Sequence, residues 1–395
     1  MKSKFPYSKE VQLAFKHEPP GRWMAKFPQG AIRLNSGYPD PRLVPSEEIK
    51  GAMARLLEEE KDLPLHYIGS PRIPQLEKFI CQRMAERGAP TANEELLVTS
   101  GACQAIDLVA RVLLDEEAVV AIESPTYMEA LEIFQNYTDK YISIPIDENG
   151  MKTEKLEEIL AERKRKGEAL PRILYTIPTF QNPTGTTLSL ERRKHLLKLA
   201  EQFDFLIMED DAYGELGFAE KPQLLKALDA GERVIYIGSF SKVVAPGMRI
   251  GWAAGPKELI EVLGWFKKDL GHPFAQSTLS AYLETIDFDS HLKKLVSVYE
   301  AKARVMVEAL EEFMPESAAW FMPSGGYFLW LQIPGVDTAE LLSKAHEAGF
   351  VYVPGRFFFL DQQEGLEFLR LSFSYTSEEN IREGIRLLGQ ILDAN

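Results

Sequence analysis

The chain has 395 residues, 45% hydrophobic and 26% charged, with a formal net charge of −14 at neutral pH. At roughly 100–200 residues per domain, this length predicts two domains with ample chain for a buried core. So acidic a protein is a poor default partner for nucleic acid or an anionic membrane, and local arginines must hold any anionic substrate against the overall field. Cys81 and Cys103 form neither a disulfide framework nor a metal spacing, and the six histidines include no HxxxH pair, so no metal site is expected. The N-terminus lacks the apolar core of a signal peptide and no apolar run reaches transmembrane length, which predicts a soluble cytoplasmic protein.

The first forty-five residues, rich in proline and aromatics, read as an irregular arm. From about residue 49, helix and strand alternate. LLVT (96–99) precedes a helix opened by the Ser100-Gly101 turn, with Ala102, Ile106, Val109 and Leu113 on one stripe. Apolar, charge-poor runs follow at 118–122, 141–146, 172–177, 205–208 and 234–238, with helical segments such as 190–203 between them. Buried parallel strands with helical crossovers have this pattern, which predicts a three-layer α/β architecture around a mostly parallel sheet. Ligands of such sheets gather beyond the carboxyl ends of the strands. After residue 274 the pattern changes to a smaller α+β domain. It comprises a helix from near Ser290 to about Phe313, with Leu292, Leu295, Tyr299, Met306 and Leu310 buried, a strand at 327–333, a helix from about Thr338 ended by Gly349, and a strand at 368–374. The last helix opens with Thr376 and Glu379 at capping-box spacing. The expected division is residues 1–48 as an arm belonging to the small domain, 49–288 as the large domain and 289–395 as the C-terminal small domain.

The stretch GSFSKVVAPGMRIGW (238–252) carries most of the chemistry. A lysine amine becomes nucleophilic only where burial or neighbouring positive charge lowers its pKa. Around Lys242, the hydroxyls of Ser239 and Ser241 and the fixed cation of Arg249 are natural partners of a phosphate dianion. A lysine beside a phosphate cradle points to an aldehyde cofactor bearing a phosphate, pyridoxal 5′-phosphate; the same stretch also reads as a loop with an exposed lysine. Such a cofactor needs a carboxylate at its ring nitrogen. FLIMEDDAYGEL (205–216) offers Glu209, Asp210 and Asp211 at a strand end, with Tyr213 beyond for the phenolic oxygen, although clustered acids there also read as a solvated loop or a helix cap.

Other segments agree. SGAC (100–103) opens a helix after a strand and supplies free backbone N–H groups for an anion. Pro183 restricts Asn182 in QNPTG to an extended conformation that can aim its amide at a ligand, although Asn-Pro also reads simply as a turn signal. Tyr127, after the run AVVAI, can stack on a flat ring or simply pack. Arg370 stands in an otherwise apolar strand, where its planar fork suits a carboxylate or a structural ion pair.

Together SFSK-x6-R, NPTG and D-x-x-Y, in this order and spacing, resemble the fold-type I pyridoxal-phosphate-dependent aminotransferases of class I/II, most closely the branch of the 2-aminoadipate and kynurenine aminotransferases. The resemblance runs from the SGYPD segment (36–40) to the last helix. It implies that Lys242 attaches the cofactor and shuttles the α-proton, that Asp210 partners the ring nitrogen, and that Asn182 and Tyr213 hold the phenolic oxygen while Tyr127 stacks on the ring. It further implies that the Ala102 and Cys103 N–H groups meet the phosphate with Ser239, Ser241 and Arg249. Arg370, Asn182 and Gly37 would hold the substrate carboxylate, and Tyr67 would reach the phosphate of a neighbouring subunit in a homodimer with shared active sites. The implied activity is a two-half, ping-pong transfer between an L-amino acid and a 2-oxo acid, with glutamate and 2-oxoglutarate as one pair.

Three features depart from the family's pattern: Ala102 and Cys103 stand where polar residues are common, YIGSPRIP from Tyr67 on replaces a YGPTEG-like pattern, and segment 18–34 does not match the helix that sets substrate choice in the 2-aminoadipate enzymes. Alternative readings are a β-lyase or another amino-acid enzyme on the same fold, and an aminotransferase-like regulatory domain. A dinucleotide-dependent dehydrogenase is set aside, since no GxGxxG follows the first strand and Lys242 would have no role.

Overall fold

The computed structural model describes residues 5–21, 28–67, 69–219, 221–269 and 271–394. The centre of segment 18–34 (residues 22–27) and Ile68 in the stretch after Tyr67 lie outside the described residues.

An eight-stranded sheet forms the middle layer, in the order Leu96–Thr99, Gly251–Ala254, Val234–Ser239, Leu206–Asp210, Pro171–Thr176, Val119–Ser124, Lys140–Asp147 and Gly150–Met151. The pairings from Val234–Ser239 through Lys140–Asp147 are all parallel. The apolar runs are strands because both of their faces are covered: Val119 and Ala121 point into one apolar cluster, Val120 and Ile122 into the other. The helices Thr153–Lys166 and Leu190–Phe203 cover one face through Leu156, Leu160, Leu196 and Leu199, and the helix Ala102–Leu113 covers the other through Ile106 and Val109. This is the three-layer α/β architecture expected from the sequence.

Two elements of this layer escaped the periodicity. Gly251–Ala254 is antiparallel to both of its neighbours, Leu96–Thr99 and Val234–Ser239. It is short and glycine-led, and its place is set by tertiary pairing. The helix Pro273–Leu283 has every residue from Gln276 to Leu283 buried, so it shows no amphipathic stripe to read.

The second sheet is antiparallel, in the order Ala319–Trp320, Phe328–Gln332, Phe368–Ser372 and Val353–Pro354. The helix Phe288–Phe313 packs beside it with Leu292, Leu295, Tyr299, Met306 and Leu310 buried as expected. Gly349, with φ of 90°, ends the helix Thr338–Ala348 in the left-handed conformation. The last helix, Glu378–Asp393, is capped by Ser377, whose side chain accepts from the Asn380 N–H, and not by Thr376. Thr376 is only 8% exposed, so the cap falls to the next hydroxyl. The N-terminal strand Ile32–Arg33 pairs in parallel with Phe350–Val351, joining the arm to this second layer. Among the described residues no helix is long and apolar enough to cross a membrane.

Candidate active site

Because six strands of the large sheet run in one direction, their carboxyl ends share one edge, and the motifs fall there. Gly101 to Cys103 follow Leu96–Thr99, Tyr127 follows Val119–Ser124, and Asn182 follows Pro171–Thr176. Asp210 ends its own strand, and Lys242 follows Val234–Ser239. The antiparallel strand adds Arg249: Gly251 pairs with both Thr99 and Ser239, so the residues just before it lie beside both loops. That approach needs glycine, since a Cβ on Gly251 would sit 2.7 Å from the Gly101 carbonyl carbon.

The Lys242 amine donates to the Gly37 carbonyl at 2.8 Å and lies 5.7 Å from the centre of the Tyr213 ring. Burial pushes its pKa down to about 8, with Glu129 acting in the opposite direction. The amine is thus part-deprotonated near neutral pH, as a nucleophile requires. The Tyr327 hydroxyl donates to the Lys242 carbonyl at 2.8 Å and fixes the backbone beneath it.

Beside it lies an anion cradle. Gly101, with φ of 88°, precedes the helix Ala102–Leu113, and no side chain caps this terminus. The Ala102 and Cys103 N–H groups therefore have no intrahelical acceptor. The Ser239 hydroxyl donates to Ser241 Oγ at 2.9 Å and accepts from the Ser241 N–H at 3.1 Å. Arg249 donates through Nη2 to the Ser100 carbonyl at 2.9 Å. Two hydroxyls, free N–H groups at a helix N-terminus and a guanidinium form a donor set suited to a phosphate.

The three consecutive acids part company. Glu209 accepts from the Leu225 and Lys226 N–H groups, both at 2.8 Å, and so caps the short helix Leu225–Leu228. Asp211 accepts from Arg87 at 3.3 Å and from the Tyr236 hydroxyl at 3.0 Å. Only Asp210 pairs with the strand-borne Tyr175, whose hydroxyl donates to Oδ2 at 2.8 Å, and it also accepts from the Ala212 N–H at 3.3 Å. Burial raises its pKa to about 6, while Tyr175 and, more weakly, Lys242 favour the ionised form.

Arg370 is 4% exposed and its guanidinium lies over the Phe328 ring at 4.1 Å. Nη1 donates to Asn182 Oδ1 and Nη2 to the Asn35 carbonyl, both at 2.9 Å, while the buried Nε has no partner. Burial lowers its pKa to about 10, still cationic at neutral pH. Gly37 closes the gap: a Cβ there would lie 3.5 Å from Phe328 and 3.9 Å from Lys242 Nζ.

Tyr127 lies beside this group, with its hydroxyl donating to Glu129, which also accepts from the Cys103 thiol at 3.5 Å. Burial, followed by Glu129, pushes that thiol up to about 12, so Cys103 is neutral and no nucleophile. Tyr67 is 86% exposed and is not part of the buried constellation of its own chain.

Sequence reasoning missed Tyr175, Glu129 and Tyr327. It also missed Glu123, which accepts from Thr176 Oγ1 at 2.6 Å, the Ile177 N–H at 3.1 Å and Gln181 Nε2 at 3.2 Å, holding the loop that carries Asn182. A carboxyl ending the apolar run 118–122 was the available signal for Glu123. For Tyr175, inside the run 172–177, no local signal existed.

Residues 29–388 match the family model of the class I and II aminotransferases. The chain belongs to that family. The aminotransferase is 40% identical to aromatic-amino-acid aminotransferase 1 of Thermococcus litoralis, over 91% of this chain and 88% of that one. It is 37% identical to the 2-aminoadipate transaminase of Thermus thermophilus, over 92% and 90%. The crystal structure of Pyrococcus horikoshii kynurenine aminotransferase, in complex with PMP, superposes with a TM-score of 0.87 at 36% identity, covering 98% of this chain and 95% of that one. The cofactor of the aminotransferase is pyridoxal 5′-phosphate, and the residues fit it: a phosphate donor set, a lysine with a depressed pKa and a carboxylate that a cationic ring would ionise.

Proposed function

We propose that the aminotransferase moves an amino group between an L-amino acid and a 2-oxo acid in two alternating half-reactions, with glutamate and 2-oxoglutarate as one pair. Pyridoxal 5′-phosphate, when bound, supplies the electron sink and carries the amino group between the halves. In this reading Lys242 would be the attachment point, and its amine would hold and move the proton at the substrate α-carbon. Asp210 would hold a proton on the ring nitrogen, with Tyr175 keeping the carboxylate ionised. Asn182 and Tyr213 would hold the phenolic oxygen and Tyr127 the ring. Ala102, Cys103, Ser239, Ser241 and Arg249 would hold the phosphate.

The observation that carries this reading is the convergence of the half-buried Lys242 and the buried Arg370 on Gly37 and Phe328. Arg370 retains an unpartnered Nε in that pocket. A substrate carboxylate on Arg370, with Asn182 and Gly37 beside it, brings the α-carbon within reach of the lysine amine. Residues 49–288 would then hold the cofactor, with 1–48 and 289–395 completing the substrate side, in a homodimer where Tyr67 of each chain reaches the other's phosphate site.

The visible absorption of the purified protein tests the reading. The expected result is a yellow cofactor band that bleaches on adding L-glutamate and returns with 2-oxoglutarate. A band indifferent to glutamate but bleached by an aromatic or aliphatic amino acid would overturn the glutamate pair alone. A protein that added pyridoxal phosphate cannot colour would overturn the cofactor site.

A further inference from the structure

Lys302 lies within the helix Phe288–Phe313 and is fully buried. A buried ammonium costs several kcal/mol unless it is paired and hydrogen-bonded, so its partners reveal its role. Its Nζ donates to Asp40 Oδ2 at 2.6 Å and to the Ser374 carbonyl at 2.8 Å. Asp40 is 1% exposed, and its backbone N–H donates to the Tyr299 hydroxyl at 3.2 Å. Tyr299 precedes Lys302 by three residues, the spacing that places both on one helix face. Arg42 adds donors to the same carboxylate, from Nε at 3.0 Å and Nη2 at 2.7 Å. Burial opposes its charge, yet Arg42 and Lys302 hold Asp40 down at about 2.

Asp40 ends the segment 35–40, two of whose carbonyls meet active-site residues. The Asn35 carbonyl accepts from Arg370 and the Gly37 carbonyl from Lys242. The Ser374 hydroxyl donates to the Tyr38 carbonyl at 2.7 Å and to the Ser36 carbonyl at 3.4 Å. Lys302 thus ties one end of the segment directly, and through Ser374 it braces the middle.

We propose that Lys302 and Asp40 are a positioning pair that holds segment 35–40 as the wall of the amino-acid pocket. The pair acts through Gly37 and Asn35 and touches neither substrate nor cofactor. This rests on the reading above, in which Arg370 and Gly37 receive the substrate carboxylate. A pair serving stability alone would lower the melting temperature and leave amino-acid affinity untouched.

The test uses the cofactor-loaded protein with Lys302→Met, Asp40→Asn and the double variant, which restores charge balance. Three quantities are read: the amino-acid concentration that half-saturates bleaching of the cofactor band, the affinity for pyridoxal phosphate, and amide hydrogen exchange at 35–40. Half-saturation is expected to rise about 10-fold or more in each single variant and to stay raised in the double, because a small misplacement of a substrate-positioning wall is costly. Cofactor affinity is expected to change less than about twofold, while exchange at 35–40 quickens, since opening of that segment no longer needs global unfolding. Folded variants with wild-type half-saturation and exchange would overturn the pair. Should those substitutions prevent folding, Tyr299→Phe, which removes the acceptor for the Asp40 N–H together with a 3.3 Å contact to the Tyr327 hydroxyl, gives the same readouts, with Tyr327→Phe as the control for the second contact: a rise in half-saturation and faster exchange at 35–40 beyond that control support the pair, and no difference from it overturns the pair. If no amino acid bleaches the wild-type band, the carboxylate-pocket reading fails, and exchange at 35–40 still decides whether the pair holds the segment.

Discussion

Glu209, Asp210 and Asp211 are consecutive, chemically alike and all buried, yet their partners give them different work. Glu209 caps a helix, Asp211 pairs with Arg87, and Asp210 alone meets Tyr175. Nothing in the local sequence separates them; the family's D-x-x-Y spacing does, and the geometry supplies the reason. Lys242→Ala should abolish turnover, because the proposed attachment and proton transfer share one amine; sustained multiple-turnover transamination by that variant would refute the role. Asp210→Ala should lower kcat by at least ~10³-fold, about 4 kcal/mol of transition-state stabilisation. The Tyr175 hydrogen bond favours the charged form of Asp210, so its loss moves the Asp210 pKa further above its ordinary value. Tyr175→Phe should therefore shift the acid limb of the kcat/KM profile to higher pH and cost roughly 10-fold in kcat, as expected for a hydrogen bond to a charged group. An unshifted limb would show that Asp210 does not control it.

At the level of elements, strands and amphipathic helices were legible because their periods follow from which face is covered. The helix Pro273–Leu283 and the strand Gly251–Ala254 were not, one being buried on all sides and the other too short to have a period. The loop carrying Asn182 depends on a neighbouring strand, since Glu123 binds Thr176, Ile177 and Gln181. Burial raises the pKa of Glu123 from 4.5 to about 7, and that of Glu209 likewise. The folded state thus holds these protons more tightly than the unfolded chain, so their contribution to stability is fullest below about pH 4.5 and is lost as pH rises through about 7. Glu123→Gln, which keeps the shape and removes the charge, should raise the melting temperature relative to wild type more near pH 8 than near pH 5. A difference independent of pH would mean that Glu123 does not titrate in this range.

Across the whole molecule, the site draws on residues from Gly37 to Arg370, and the arm reaches it by pairing Ile32–Arg33 with Phe350–Val351. Leu65, Tyr67 and Trp265 are large side chains left 64%, 86% and 67% exposed. Sedimentation should show a homodimer, and Tyr67→Ala should weaken pyridoxal-phosphate binding about 10-fold without dissociating it, the loss of roughly one good hydrogen bond to a charged group. A monomer with unimpaired cofactor binding would refute the shared site. By itself, the sequence determined the parallel α/β layer, the second α+β layer and the motif that sets Lys242 beside Ser239, Ser241 and Arg249, because helical and strand periods and a contiguous motif are local properties of the chain. Only the tertiary structure decided which acid meets Tyr175, that Glu129 stands beside Tyr127, and that Lys302 grips Asp40. Those contacts join residues dozens to hundreds of positions apart, or turn neighbouring side chains to different faces, and burial sets their energies only after the chain has closed around them.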